Sequence, residues 1–136
     1  MSNSVQLIRN DQLSDVAEYA YAAAVTAPPR TVFTAGACPL DRDGATVAVG
    51  DYAGQARQVM ANLVTALAGA GAGLADVAKT TVYVASSRQA DLVTAWEVIR
   101  DAFAEHDHDP PSTLLGVAVL GYDDQLVEVE SVAVVG

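Results

Sequence analysis

The stretch YAGQARQVMANLVTALAGAGAGLADVAKTTVYV, residues 52–84, decides the fold. In its first half Ala56, Val59, Met60, Leu63 and Leu67 recur at three- and four-residue spacing. That spacing places them on one face of a helix, with Gln55, Gln58, Asn62 and Thr65 mostly elsewhere. The run Gly69-Ala70-Gly71-Ala72-Gly73 ends the helix, because glycine adopts left-handed backbone angles without steric cost. Asp76 opens the next element. Lys79-Thr80-Thr81-Val82-Tyr83-Val84 is β-branched and aromatic, as a pleated strand prefers. An apolar helix face beside such a strand predicts a helix packed on a sheet.

Working outward, strands are expected near Val5–Ile8 and over Thr31–Gly36. Tyr19–Thr26 is open between helix and strand, since Pro28-Pro29 follows it. Asp11–Glu18 is polar and reads as a loop or a single turn. Asp41-Arg42-Asp43-Gly44 carries tight-turn chemistry, with a returning strand expected over Thr46–Val49. Leu92, Trp96, Ile99 and Phe103 mark a second amphipathic helix from Gln89 to Glu105. Pro110-Pro111 stop it. Strands over Ser112–Leu120 and Leu126–Val135 finish the chain, and the short Gly121–Asp124 link predicts an antiparallel hairpin between them. The expected architecture is α+β, a mixed sheet with two helices on one face, in a single domain over residues 1–136.

The chain has 136 residues, 51% of them hydrophobic and 18% charged, with a net charge of −10. The apolar surplus suggests an oligomer with apolar interfaces. One lysine and six arginines cannot build a broad basic stripe, and the negative charge repels nucleic acid and anionic membranes. Cys38 is the one cysteine, so no internal disulfide forms. No apolar run of about 18 residues spans a membrane. A cytoplasmic protein is expected.

In the last strand Leu126, Glu128, Glu130 and Val132 alternate with Val127, Val129, Ser131 and Ala133. Glu128 and Glu130 therefore share one face, about 7 Å apart. Paired carboxylates in a cleft can act as acid or base, whereas on a solvated or interface face they simply pair with cations or donors. His106-Asp107-His108-Asp109 has metal-ligand residue types without a spacing that converges them, and reads as a solvated loop. Asp41–Gly44 echoes a calcium loop but lacks its downstream ligands. Cys38 has no flanking cation and reads as small filler. Tyr19, Tyr21, Tyr83 and Trp96 suit core or interface positions. No phosphate loop, nucleophile elbow or dinucleotide fingerprint is present, and no cofactor or metal is expected.

The chain resembles the Rid (YjgF-type) reactive-intermediate deaminase family along nearly its whole length. Gln55–Leu63, Gly71–Val84 with its run from Asp76, Leu126–Val134 and the early Phe33-Thr34-Ala35-Gly36 with Pro39-Leu40-Asp41 carry the resemblance. It implies a chorismate-mutase-like α+β fold and a homotrimer with small-molecule clefts between subunits. In that family an arginine before a Ser-Cys or Ser-Thr pair grips the substrate carboxylate. A last-strand glutamate positions the attacking water, and an early tyrosine and a Ser-Gly-Gln turn line the cleft. By this resemblance Glu130 matches the glutamate, Tyr21 the tyrosine and Ser112-Thr113 the pair. The arginine falls on Pro111, and the turn is Ala35-Gly36-Ala37. The chain thus resembles a subgroup without the arginine.

A cleft that keeps Glu128 and Glu130 but lacks this bidentate anchor favours a neutral or cationic ligand over an anionic one. Arg88 or another arginine from a neighbouring subunit is the alternative anchor. Three functions follow: a hydrolase of imines or enamines, a non-catalytic binding or regulatory homotrimer, and a ribonuclease or translation inhibitor. The net charge weighs against the third.

Overall fold

The computed structural model describes residues 5–9, 11, 12, 18–20, 22–25 and 30–136. In chain order the elements are β1 (Val5–Ile8), β2 (Ala22–Val25), β3 (Arg30–Phe33), α1 (Tyr52–Gly69), β4 (Val77–Val84), α2 (Gln89–Ala104), β5 (Ser112–Gly116) and β6 (Val127–Val135). A 3₁₀ turn at Leu74–Asp76 leads into β4.

Helix α1 begins where Asp51 accepts the Gly54 N–H at 2.9 Å, satisfying one of the orphan donors of the first turn. It buries Ala56, Val59, Met60, Leu63 and Leu67, the face set by their spacing. Gly71, at φ +78°, turns the chain out of the helix, while the Ala72 N–H returns to the Leu67 carbonyl. Helix α2 contributes Ala95, Ile99 and Phe103 to the same core.

The main sheet has the order β3-β6-β4-β5; β1 and β2 form a separate antiparallel pair. Strand β6 is antiparallel to both neighbours, β3 and β4, and β5 runs parallel to β4. Val82, Val84, Val127, Val129 and Ala133 face the helices and are buried. Both helices lie on that side, so the expected mixed sheet with two helices on one face is what the chain builds.

Four sequence expectations are corrected. β5 and β6 do not form a hairpin: β4 lies between them, and β6 has both edges occupied by β3 and β4. Helix α2 serves as the crossover that makes β5 parallel to β4, a connection no short link could provide. β5 also ends at Gly116, short of the expected Leu120. The returning strand at Thr46–Val49 is reduced to one bridge, Leu40 to Thr46, because Ala48 takes φ +50° and turns the chain toward α1. His108 is no solvated loop residue. It is 5% exposed, with Nε2 2.7 Å from the Val77 carbonyl oxygen. Among the described residues no three acidic, histidine or cysteine side chains group as a metal site.

A carboxylate face across the central strands

The alternation of β6 does what its sequence requires. Val127, Val129, Ser131 and Ala133 are buried, and Glu128, Glu130 and Val132 emerge on the opposite, helix-free face. On the neighbouring β4 the same period of two brings out Lys79, Thr81 and Tyr83. The antiparallel register sets Thr81 opposite Glu130 and Tyr83 opposite Glu128. The parallel register sets Thr113 on the other flank of Thr81. Glu130, Thr81 and Thr113 thus form a row across three strands, spanning about 10 Å at ordinary strand spacing.

Glu130 lines a cavity of about 230 Å³ with Lys79, Thr81, Phe33, Thr34, Ser131 and Val132. The Tyr83 hydroxyl donates to Glu130 Oε1 at 2.6 Å. That hydrogen bond holds the phenol's proton and raises the Tyr83 pKa above 10.0, with burial and the charges of Glu130 and Glu128 acting in the same direction. Lys79 Nζ donates to Thr113 Oγ1 at 2.6 Å, and no carboxylate among the described residues lies within 4.0 Å of it.

Glu128 is engaged differently. Its Oε1 accepts from Gln125 Nε2 at 3.1 Å and from the Cys38 thiol at 3.2 Å. Its Oε2 occupies the space beside Gly36, where a Cβ would come within 2.3 Å of it. A side chain at position 36 would therefore displace the Glu128 carboxylate from this place. The turn itself is fixed by Ala37, which exchanges backbone hydrogen bonds with Val129, and by Asn62 of α1, which donates to the carbonyls of Cys38 and Leu40. Burial, then the hydrogen bond and charge of Glu128, push the Cys38 thiol from 9.0 up to about 11. A thiol so held is protonated at neutral pH and is no nucleophile, in keeping with its reading as filler.

The other expected site residues are spread over this sheet and its β5 edge. Ala35 is exposed in the segment that follows β3. Ser112 turns inward, its hydroxyl donating to the Pro110 carbonyl and paired with Thr80 Oγ1. Pro111 offers only its carbonyl, which accepts the Thr80 N–H at 3.0 Å. Ser112 and Thr113 also border a larger cleft of about 630 Å³ against α2, with Tyr19, Trp96, Glu97 and Arg100. Glu130 is not among its walls, so the larger cleft and the carboxylate cavity are separate within one protomer. Tyr21 lies outside the described residues.

Among the described residues no arginine lines the Glu130 cavity: Arg88 stands at the N-terminus of α2, and Arg100 faces the larger cleft and bonds to Asp101. The cation beside Glu130 is Lys79. Sequence reasoning missed both Lys79 and Tyr83 as site residues. Their signal was the alternation of β4, the same reading that placed Glu128 and Glu130 on one face.

Comparison with known proteins bears on the family and the fold. The family profile described as Endoribonuclease L-PSP matches residues 12–135. A RutC family protein of Pyrococcus horikoshii is 34% identical over 102 residues, which are 75% of this chain and 77% of that protein. The crystal structure of YyfB from Yersinia pestis, a member of the conserved Rid family, superposes with a TM-score of 0.88 at 28% identity, covering 97% of this chain and 99% of that one. E. coli TdcF, solved with bound serine, superposes with a TM-score of 0.70 at 29% identity over 87% and 88% of the two chains. The shared arrangement is the chorismate-mutase-like α+β fold that the sequence implied. With its sequence matched almost from end to end and its fold shared, the chain belongs to the L-PSP endoribonuclease family, also known as the Rid or YjgF family.

Proposed function

We propose that this protein binds a small imine or enamine metabolite and hydrolyses its C–N bond in the cytoplasm, in clefts between the subunits of a homotrimer. The observation that carries the reading is Glu130. It is a carboxylate on the helix-free sheet face, bordering a cavity and held by a phenol, and its Oε2 has no hydrogen-bond partner among the described residues. In this reading Glu130 Oε2 takes a proton from a water as the water's oxygen bonds to the imine carbon. That proton passes to the imine nitrogen and gives a carbinolamine. Glu130 then takes the hydroxyl proton as the C=O forms and passes it to the nitrogen as the C–N bond breaks, so ammonia leaves a carbonyl product. Backbone amides near Ser112–Leu114 stabilise developing charge from the partner's side of the cleft. The exposed apolar residues of the same face, Phe33 and Leu115, support its burial against other subunits.

Pro111 in the arginine position favours a second reading, a homotrimer that binds or regulates without chemistry. Ribonuclease action, the activity in the family description, suits this chain less well, since its net charge is −10. Ammonia release from freshly generated imines, with and without a carboxylate, tests the proposal. Turnover lost in Glu130→Gln is the expected result. Saturable binding without turnover of any imine selects the second reading. Salt-sensitive RNA cleavage would select the third.

A further inference from the structure

We infer that Tyr83 is a positioning residue for Glu130: its hydroxyl fixes the carboxylate through Oε1 and reserves Oε2 for the attacking water. The inference rests on the proposed role of Glu130 and adds a residue to it.

Three observations carry it. First, the contact is diagonal. Tyr83 stands opposite Glu128 in the β4–β6 register, yet its hydroxyl reaches past that neighbour to Glu130 at 2.6 Å. Diagonal contacts of this kind lie within reach of an aromatic side chain. Second, Glu128 has no need of the phenol. Cys38 and Gln125 already occupy its Oε1, and the Gly36 backbone crowds its Oε2. The two carboxylates are thereby divided between a turn and a cavity. Third, a phenol has one proton to donate, and Tyr83 keeps it, since the hydrogen bond and neighbouring charges oppose its ionisation. A glutamate on a strand face has three side-chain torsions, and its last one is broad. One short charge-assisted hydrogen bond removes much of that freedom before substrate arrives. Ser131, which flanks Glu130 in the sequence, cannot do this: it is buried on the opposite strand face and bonded to Thr34.

The test is a double-mutant cycle with Tyr83→Phe and Glu130→Gln, assayed on an imine that the wild type turns over. Tyr83→Phe should lower kcat about tenfold while KM stays within about twofold, the pattern of an interaction that matters in the transition state. In the Glu130→Gln background the same change should leave the residual rate unmoved, because the amide keeps an acceptor for the phenol but has no basic oxygen to position. Full activity in Tyr83→Phe, or an equal loss in both backgrounds, would overturn the inference. Retention of activity by Glu130→Gln alone would instead overturn the proposed reaction.

A second measurement needs no turnover. The tyrosinate absorbance of Tyr83, taken as wild type minus Tyr83→Phe, should rise at lower pH once Glu130→Gln removes the charge. An unmoved titration refutes the contact in solution. If the wild type is inert toward every imine, the positioning role falls with the reaction, and the titration still decides whether Tyr83 holds Glu130.

Discussion

Gln55 is the side chain on which the entry to β6 depends, and Gln55→Leu tests that dependence. It is fully buried in the first turn of α1. Its Oε1 accepts the Leu126 N–H at 2.7 Å, and its Nε2 donates to the carbonyls of Asp124 at 2.9 Å and Ala48 at 3.4 Å. One amide therefore ties α1 to two turns and to the residue preceding β6. Leucine has a similar volume, so the change removes the polar contacts and leaves little cavity. The orphaned Leu126 N–H costs about 1–3 kcal/mol, and the bond to Asp124 about 1 kcal/mol net, since that exposed residue's carbonyl can be rehydrated. The long contact to Ala48 adds little. The total is about 3 kcal/mol, or roughly 10 °C in melting temperature for a domain of this size. Urea unfolding followed by circular dichroism, at one fixed protomer concentration because association adds stability, measures it. Gln55→Glu should cost at least as much at neutral pH, because it retains the acceptor, loses both donated bonds and buries a charge. A loss below about 1 kcal/mol for Gln55→Leu would refute the claim that this amide organises the turns.

Two other outcomes follow from the site. Cys38 keeps its proton up to about pH 11 in the folded protein against 9.0 ordinarily, so its contribution to stability is complete below pH 9.0 and is lost as pH rises toward 11. The stability difference between wild type and Cys38→Ala should shrink across that window, and parallel pH profiles for the two proteins would refute the assignment. Lys79→Met should weaken carboxylate-bearing imines by at most about fivefold in kcat/KM, the worth of an exposed ion pair, and leave neutral imines unchanged. An equal loss on both classes would mean that Lys79 acts through the sheet and not on the ligand.

The parts of this fold legible in the sequence are those whose information is local. Helix α1 reveals its buried face through Ala56, Val59, Met60, Leu63 and Leu67, because a helix repeats within a few residues and its core contact follows. Strand β6 reveals its two faces through simple alternation, which put Glu128 and Glu130 together before any strand order was known. The hairpin between β5 and β6 failed for the complementary reason. A short link permits that pairing but does not require it, and the pairing was decided by α2, which carries the chain across the sheet to β4's far edge. His108 failed likewise: a polar loop residue is buried with its Nε2 2.7 Å from the carbonyl oxygen of Val77, a contact 31 residues away in the sequence.

The site shows where local information ends. The family resemblance sets Pro111 where an arginine would anchor a substrate carboxylate, and on that reading the sequence alone argues that an anionic ligand is disfavoured. The fold changes the terms of that argument. Lys79 is 51 positions before Glu130 in the numbering, yet both border one cavity because β4 and β6 are neighbours. The carboxylate thus has a cation nearby, although an exposed lysine is a weaker and less directional anchor than a bidentate arginine. The same strand pairing supplies Tyr83, whose partner is 47 residues away. Family resemblance identified Glu130 by position, while the groups that would tune it entered through a neighbouring strand that the family motif did not single out. In the proposed reading, substrate charge and Glu130 geometry depend on two residues of β4, and substitutions at Lys79 and Tyr83 separate the two properties.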